Sequence, residues 1–351
     1  MRKLITIVIA FMLLLTACAK NTPPEPTEEP EATPTPTATP APTPTVNPYV
    51  NPLTGLRVDK PIAQNRPIAV MINNIRESLP QCGIGSADII YEVVAEGGIT
   101  RMVAVFQDIS QVGRIGSVRS TRTYYLDIAQ GLDAILLHAG ASIYAYEALK
   151  TRDNCTNIDG IYDSIIFYRD PDRMSAGYEH SLFTSGKLIS ENIEDYGLRL
   201  THDEDYVCNM QFGTPSSVSG TPAEYISVEF SYYKTGEFVY NSEDGLYYVS
   251  QYDEPHIDGE TDEQLAVKNV LILFAEHSAI PNDDLKRIEV DLVGSGTGIF
   301  ASEGKSIKIN WSKSSYDSQF EYTLTDGSPL IFAPGTSYIN IVESEADVTI
   351  D

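Results

Sequence analysis

Four short apolar runs between residues 66 and 140 are rich in Val and Ile and are bounded by Gly, Asn and Asp. Runs of this length and composition are typical of β-strands that are covered on both faces. We therefore predict a sheet whose strands lie within RPIAVMINN (66–74), DIIYEVVAEG (88–97), TRMVAVFQD (100–108) and DAILLHAG (133–140).

Amphipathic stretches with helical character lie among these runs and after them. Apolar residues recur through 120–131, and similar patterns occupy 142–152 and 185–196. Each stretch begins with Ser, which is a favoured N-cap residue. Strands mixed with helices in this way predict an α/β or α+β sheet with helices packed against it.

The pattern changes after residue 213, where short runs with alternating polarity are separated by Gly, Asn and Asp and helix signals are few. This spacing predicts a mainly antiparallel β domain. The predicted fold is therefore α+β, with a mixed α/β sheet domain at 49–213 and a β-rich domain at 214–351. The stretch GSGTG (294–298) partly resembles a nucleotide-binding loop, but no helix pattern follows it, so we predict a hairpin turn there.

The first eighteen residues are typical of a lipoprotein signal peptide. Arg2 and Lys3 precede an apolar run that is too short to span a bilayer, and LTAC (15–18) matches the bacterial lipobox. We predict that Cys18 is lipidated and that the protein lies on the outer face of the cytoplasmic membrane. Ala17, Cys18 and Ala19 also fit the ordinary signal-peptidase pattern, so a freely secreted product is the alternative.

Residues 19–48 differ in composition from everything after them. They are rich in Pro, Thr, Glu and Ala, and they lack the apolar periodicity needed to pack a core. We predict a disordered, proline-rich spacer that holds the folded part away from the membrane.

Charge and cysteine content limit the partners and sites. The formal net charge of −25 argues against nucleic acid as a partner. Beyond Cys18 the chain has Cys82, Cys155 and Cys208, without C-x-x-C spacing, so we expect each thiol to be buried and unpaired, with no disulfide framework and no zinc site. We expect no cofactor and no bound metal.

Several motifs together resemble the YerB-like lipoproteins of Gram-positive bacteria, which consist of two domains of unknown function. The matching stretches are NPLTGL (51–56), RPIAVMINN (66–74), ADIIYEVVAEGGITRMVAVF (87–106), IGSVRSTR (115–122), HAGAS (138–142), FYRD (167–170), HSLFTS (180–185) and HIDGETDEQLAVKNV (256–270). The resemblance implies an anchored extracytoplasmic protein with a mixed α/β first domain and a β-rich second one. It implies no established reaction.

The chain departs from the pattern of that family at a few positions. Relatives tend to have Pro and Ala where this chain has Ser117 and Thr121, and Asn where it has Ser181. None of these departures removes a guanidinium or an imidazole. Relatives also tend to have Gly where this chain has Asp262, which affects the expected turn geometry more than any chemistry.

The stretch VGRIGSVRSTR (112–122) concentrates arginine, serine and glycine in an otherwise acidic chain. Guanidinium groups, hydroxyls and helix N-terminal N–H groups bind carboxylates and phosphates, so an anion site is one interpretation. The other is that Glu92 or Glu96 forms structural ion pairs with Arg101 or Arg119. Arg119 and Arg122 are three residues apart at the start of a predicted helix, so we expect their side chains to share one face. The candidate anion-binding residues are Arg101, Arg119, Ser120, Arg122 and Arg169.

A second set of polar residues falls at predicted strand ends, where ligand groups collect in sheets covered by helices. A His with a carboxylate serves as a general base in many enzymes, although a His at a strand end is also a common structural residue. The sequence has no G-x-S-x-G nucleophile elbow, no H-E-x-x-H and no Cys with a paired His motif. The candidate polar or catalytic residues are Asn73, Asn74, Glu92, Glu96, His138 and His180.

Two functions follow from these observations. The first is a non-catalytic envelope lipoprotein that binds an anionic cell-wall component or a partner protein of wall synthesis through residues 49–213. The alternative is a hydrolase or transferase of the envelope that uses His138, His180 and Glu92. A solute receptor is a weaker reading, because the sequence does not divide into two similar lobes.

Overall fold

The structure is a computed structural model that describes residues 49–351. The predicted signal peptide, the lipidated Cys18 and the spacer at 19–48 lie outside the described residues. Within the described part, no helix is long and apolar enough to cross a membrane.

The described chain is rich in strands and has three short α-helices. The helices are α1 (Thr123–Gly131), α2 (Ile143–Thr151) and α3 (Gly186–Asn192). Up to residue 213 the strands are β1 (Ile68–Asn74), β2 (Ile89–Val94), β3 (Thr100–Phe106), β4 (Arg114–Gly116), β5 (Ile135–His138), β6 (Asn157–Asp159), β7 (Tyr168–Arg169), β8 (Leu182–Ser185) and β9 (Gln211–Phe212). After it they are β10 (Thr221–Pro222), β11 (Tyr225–Ser231), β12 (Lys234–Asn241), β13 (Leu246–Gln251), β14 (Glu254–Pro255), β15 (Ala266–Val267), β16 (Asn269–Ala279), β17 (Ile288–Asp291), β18 (Gly294–Ser302), β19 (Lys305–Lys313), β20 (Glu321–Leu324), β21 (Ile331–Phe332), β22 (Ser337–Glu343) and β23 (Val348–Ile350).

The largest sheet is mixed, and it contains strands from both sequence regions. Its order is β10-β19-β18-β16-β22-β2-β3-β1-β5-β6. In addition, β17 pairs with β16, and β20 pairs with β19. β3 pairs antiparallel with β1 and β2, whereas β5 pairs parallel with β1 and β6. The predicted α+β class is therefore confirmed.

The regions 49–213 and 214–351 meet in this sheet. β2 of the first region pairs in parallel with β22 of the second, and β22 pairs in parallel with β16. The proposed domain division at residue 213 therefore separates stretches of sequence whose strands share one sheet.

The large sheet lies between two apolar cores, because successive residues of a strand point to opposite faces. Along β1, Val70 and Ile72 face one core, whereas Ala69 and Met71 face the other. The second core contains the buried face of α1. The first core is closed by a smaller antiparallel sheet of order β14-β13-β12-β11-β23, whose strands alternate buried and more exposed residues.

Most of the predicted elements are present within a few residues of their predicted ends. The four apolar runs contain β1, β2, β3 and β5, and α2 follows Ser142, whose Oγ accepts a hydrogen bond from the N–H of Ala145 as an N-cap does. Free thiols occur at Cys82, Cys155 and Cys208; Cys82 is buried as predicted, whereas Cys155 and Cys208 are only partly buried.

Two local predictions are wrong. GSGTG is not a turn, because it lies within β18 and pairs with β16 and β19. Its glycines allow a close approach: a Cβ at Gly296 would lie 2.6 Å from the Phe274 carbonyl oxygen. Arg119 and Arg122 are not on the first turn of a helix, since α1 begins at Thr123 and Arg122 has extended backbone angles.

Two positions at which the chain departs from its relatives have unusual backbone geometry. Asp262 has a φ of 60°, in the left-handed region that glycine adopts without steric cost. The peptide bond between Gly116 and Ser117 is cis. The turn at residue 262 thus keeps the geometry that a glycine would give it.

Candidate functional site

The segment from Ser117 to Thr121 crosses the ends of β1 and β5. The N–H of Asn73 donates to the Ser117 carbonyl, and the N–H of Arg119 donates to the Met71 carbonyl. On the other side, the N–H of Ala139 donates to the Arg119 carbonyl. The backbone of this segment is therefore fixed by the sheet, and its side chains emerge where the strands end.

Arg101 and Arg122 both bind the carboxylate of Glu96. The Arg101 Nη2 lies 2.9 Å from Glu96 Oε1, and the Arg122 Nε lies 3.0 Å from Oε2. The Nη2 of Arg122 also contacts Oε1. Burial tends to raise the pKa of Glu96, but the two guanidinium groups outweigh it and lower the pKa to about 2. Glu96 is therefore a permanent anion at neutral pH.

The two arginines are also held by the backbone of the crossing segment. Arg101 Nη1 donates to the Ser120 carbonyl at 3.0 Å, and Arg122 Nη1 donates to the Thr121 carbonyl at 2.6 Å. Arg122 Nη1 also lies 3.3 Å from the Ser120 Oγ. Both arginines are almost fully buried. The Nε of Arg101 is buried without a hydrogen-bond partner among the described residues.

Arg119 has different surroundings from its two neighbours. Its side chain is half-buried, and it forms no ion pair or hydrogen bond with any residue in the described part of the chain. Burial lowers the pKa of its guanidinium, and the positive charge of Arg101 lowers it further, while Glu179 acts in the opposite direction. We call Arg101, Arg119, Arg122, Ser120 and Glu96 the arginine cluster, in which two of the three cations bind one carboxylate and the third, Arg119, does not.

Asn73 and His180 lie beside the arginine cluster. The Asn73 Nδ2 is 2.8 Å from the His180 Nδ1, and the Asn73 Oδ1 is buried without a partner among the described residues. Burial lowers the pKa of His180, whereas the neighbouring Glu179 raises it. The positive charge of Arg119 acts in the same direction as burial, so a neutral imidazole is favoured next to the arginines.

Glu92 and Asn74 lie on the other face of the sheet. Glu92 is 1% exposed, and its Oε1 accepts hydrogen bonds from Asn74 Nδ2 at 2.7 Å and Thr100 Oγ1 at 2.5 Å. The same oxygen lies 3.2 Å from Lys234 Nζ, and the Tyr338 hydroxyl donates to Oε2 at 2.5 Å. Burial tends to raise the pKa of Glu92, but Lys234 and these donors lower it overall. Lys234 and Tyr338 belong to the second sequence region, and sequence reasoning did not single them out.

His138 and Arg169 are occupied by structural contacts. The ring nitrogens of His138 lie 2.9 Å from the Gly140 carbonyl and 3.1 Å from the Asn157 Oδ1, and the side chain is fully buried. Arg169 Nη1 donates to the Tyr178 carbonyl at 2.7 Å, and its guanidinium lies over the Tyr178 ring.

The structure therefore brings some predicted residues together and separates others. The arginine cluster and the Asn73–His180 pair are neighbours. Glu92 and Asn74 are fully buried on the other face of the sheet. Asn73 and Asn74 are adjacent in β1 and point to opposite faces, which places His180 and Glu92 on opposite sides of the sheet. His138, His180 and Glu92 do not form a common centre. No group of three or more His, Cys, Asp or Glu side chains in the part of the chain that the structure describes could hold a metal ion.

Comparison with known proteins gives consistent results along the chain. Residues 53–199 match the family described as "Protein of unknown function (DUF3048) N-terminal domain", and residues 226–339 match the corresponding C-terminal domain. The chain is 31% identical over 309 residues to a Bacillus subtilis protein named "Putative lipoprotein YerB", covering 83% of this chain and 85% of that protein.

A solved structure matches the fold as well. The crystal structure of the YerB protein from Bacillus subtilis superposes with a TM-score of 0.75 at 28% sequence identity. The match covers 86% of this chain and 99% of the other.

Proposed function

The chain belongs to the two-part DUF3048 family of YerB-like proteins, and we propose that it is a lipid-anchored envelope protein that binds an anionic ligand through the arginine cluster. The bound group is a phosphate or carboxylate that belongs to the cell wall or to a partner protein in the envelope. The alternative, a hydrolase or transferase that uses His138, His180 and Glu92, has less support because these three side chains have separate hydrogen-bond partners.

The single observation that carries the proposal is the state of Arg119. Its backbone is fixed by hydrogen bonds to Met71 and Ala139, yet its half-buried guanidinium has no ion-paired or hydrogen-bonded partner in the described part of the chain. A half-buried cation next to two other cations is electrostatically unfavourable, and a bound anion would offset that cost. Structural ion pairing accounts for Arg101 and Arg122, but it does not account for Arg119.

Further polar groups support an anion at this position. Ser120 places its hydroxyl beside Arg122, and α1 begins directly after Arg122 without a side-chain cap. The first N–H groups of a helix favour negative charge. Arg101 keeps a buried Nε–H without a partner among the described residues, as noted above.

Substitution of Arg119 tests the proposal. The probes are a glycerol phosphate oligomer and a wall peptide with free carboxylates, titrated calorimetrically into the full chain. A charge-assisted hydrogen bond is worth about 1.5–3 kcal/mol, so Arg119→Ala should weaken binding of the preferred probe by about tenfold to a hundredfold. Its melting temperature should stay close to that of the wild type, because no described residue loses a partner.

Arg114→Ala is the matched control, since Arg114 lies in the same arginine-containing stretch but forms ion pairs with Asp170 and Glu260. We expect this variant to bind the probe as the wild type does. The proposal is wrong if neither probe binds the wild type, or if both variants bind the probe equally well.

We also propose that Cys18 carries the lipid anchor, after a signal peptide at 1–18 and before a spacer at 19–48. The lipobox sequence supports it, as does membership of a family whose Bacillus subtilis relative carries a lipoprotein name. Cys18→Ala should move the protein from the membrane fraction to the medium and abolish labelling with a fatty-acid analogue. Undiminished labelling of that variant would rule out this anchor.

A further inference from the structure

A cavity of about 360 Å³ lies between the Leu79–Pro80 segment and the strands β13 and β14, and no residue of the arginine cluster lines it. Leu79, Pro80, Pro255 and Ile257 provide apolar walls, and the exposed Glu254 lies at its edge. The volume falls within the range of small-molecule sites. Two polar side chains, Gln251 and His256, also line the cavity, and each is only 2% exposed.

Both polar side chains have hydrogen-bonding atoms that no described residue satisfies. In Gln251 these atoms are Oε1 and Nε2, and in His256 the atom is Nδ1. Buried polar atoms nearly always have partners in folded proteins. Three such atoms on two side chains that line one cavity indicate that the cavity accepts a polar group.

The hydrogen-bond network behind the cavity fixes what His256 can offer. Gln81 Nε2 donates to the Asn73 carbonyl at 3.0 Å and to Asn74 Oδ1 at 2.7 Å, so Gln81 Oε1 must act as an acceptor. His256 Nε2 lies 2.9 Å from that oxygen and therefore carries the ring proton. Nδ1 is left as an acceptor. Burial, assisted by the charge of Lys234, lowers the pKa of His256 to about 3, which keeps the ring neutral at physiological pH.

The two polar side chains that line the cavity thus carry two acceptors and one NH₂ donor that lack partners among the described residues, and the other walls are mostly apolar. No cation is among its lining residues, and Glu254 at the edge disfavours an anionic ligand. An amide group with a small apolar substituent matches this arrangement. Its N–H can donate to His256 Nδ1 or Gln251 Oε1, and its C=O can accept from Gln251 Nε2. The substituent can contact the apolar walls of the cavity. We propose that this cavity binds a neutral amide-bearing ligand, held by Gln251 and His256.

Such an amide occurs in an acetamido sugar and in a peptide bond, and titration can distinguish the two. N-acetylglucosamine and N-acetylalanine methylamide would be added separately to the ¹⁵N-labelled full chain up to about 100 mM. We expect one of them to shift the side-chain NH₂ signal of Gln251 and the ring signals of His256 in a saturable manner. A response to the sugar alone assigns an acetamido sugar, and a response to the other compound assigns a peptide.

Gln251→Leu should weaken binding of the active probe by about tenfold, as expected for the loss of one or two hydrogen bonds. Gln264→Leu is the matched control, because Gln264 donates to the Val249 carbonyl and does not line the cavity. Ile257→Trp fills the cavity while leaving the polar groups intact, and it should also abolish binding. The proposal fails if neither probe shifts the Gln251 and His256 signals, or if the Ile257→Trp variant binds as well as the wild type.

Discussion

Glu92 and Glu96 are four residues apart, at the end of β2 and just beyond it, yet their charges are balanced in different ways. Glu92 lies in the interior, where Lys234 and three hydrogen-bond donors surround it, and both charged side chains are 1% exposed. Glu96 is 24% exposed and is shared by Arg101 and Arg122, with Arg119 nearby. One centre is neutral and closed, and the other has an excess of positive charge and reaches the surface.

The difference shows what separates a structural charge from one that is available to a ligand. Every donor around Glu92 comes from the protein, and two of them, Lys234 and Tyr338, come from the second sequence region. This centre therefore joins the two regions. Around Glu96 the protein supplies more cations than anions, which leaves Arg119 without a partner among the described residues. Burial alone does not distinguish the Glu92 centre from the arginine cluster, because Arg101 and Arg122 are nearly as buried as Lys234.

The largest effect is expected at Lys234. Lys234→Met leaves the Glu92 carboxylate buried without its counter-ion, which should lower the free energy of unfolding by about 3–5 kcal/mol. Urea denaturation followed by circular dichroism measures it. The double variant Glu92→Gln with Lys234→Met removes both charges and should recover most of the loss. A loss below about 1 kcal/mol in the single variant would mean that water reaches the Glu92 centre.

Tyr338→Phe removes a hydrogen bond to the same carboxylate from the other sequence region. Bonds to charged groups are worth about 1.5–3 kcal/mol, so we expect a loss of unfolding free energy in that range. Tyr247→Phe is the control, since the Tyr247 hydroxyl donates to the neutral carbonyl of Ala223 in an equally buried position. Equal losses in the two variants would contradict the assignment of a charged Glu92.

Glu96→Gln should cost less, about 1–2 kcal/mol at pH 7, because Glu96 is partly exposed to solvent. The folded-state pKa of about 2 lies below the ordinary value of 4.5. The stabilisation that the ionised Glu96 gives the folded chain is therefore complete above the unfolded-state pKa. It is lost as the pH falls from about 4.5 towards 2. The difference in unfolding free energy between the two proteins, measured from pH 7 to pH 3, should stay constant down to about pH 5 and then shrink as the pH falls further. A constant difference over this range would show that Glu96 is not held as an anion by the arginines.

The sequence predicted much of the first sheet and little of either charged centre. β1, β2, β3 and β5 are continuous apolar runs, so their local composition is enough to identify them. The pairing of β2 with β22 joins residues about 250 positions apart, and no local pattern contains it. For the same reason the sequence offered no partner for Glu92, because Lys234 is one polar residue in an alternating strand and gives no signal of burial.

The arginine cluster was predicted in its residue types but not in its geometry. Arg119 and Arg122 were expected on one face of a helix, whereas extended backbone places them in different surroundings. Of the two open interpretations, structural ion pairs are present in the structure, whereas an anion site stays a prediction. Arg101 and Arg122 form ion pairs with Glu96, and the anion-binding role that we propose concerns Arg119.

The smallest effect on stability is expected at Arg119 itself. Arg119→Met keeps a long apolar stem and removes a cation whose pKa is lowered first by burial and then by the charge of Arg101. Because no described residue loses a partner, the free energy of unfolding should change by no more than about 0.5 kcal/mol. Any change should be a gain, since like-charge repulsion is relieved. Salt screens such repulsion, so the gain should be larger at low ionic strength and should shrink as salt is added.

Thermal melts of Arg119→Met and Arg114→Met at low and high salt complete the comparison between the two centres. Arg114 forms ion pairs with Asp170 and Glu260, so its removal should give a small loss at low salt that shrinks as salt is added. Opposite signs in the two variants would mean that the stretch contains one arginine that stabilises the fold and one that the fold tolerates. If Arg119→Met instead costs more than about 1 kcal/mol, Arg119 stabilises the folded chain as Lys234 does, and the contrast between the closed and the open centre does not hold.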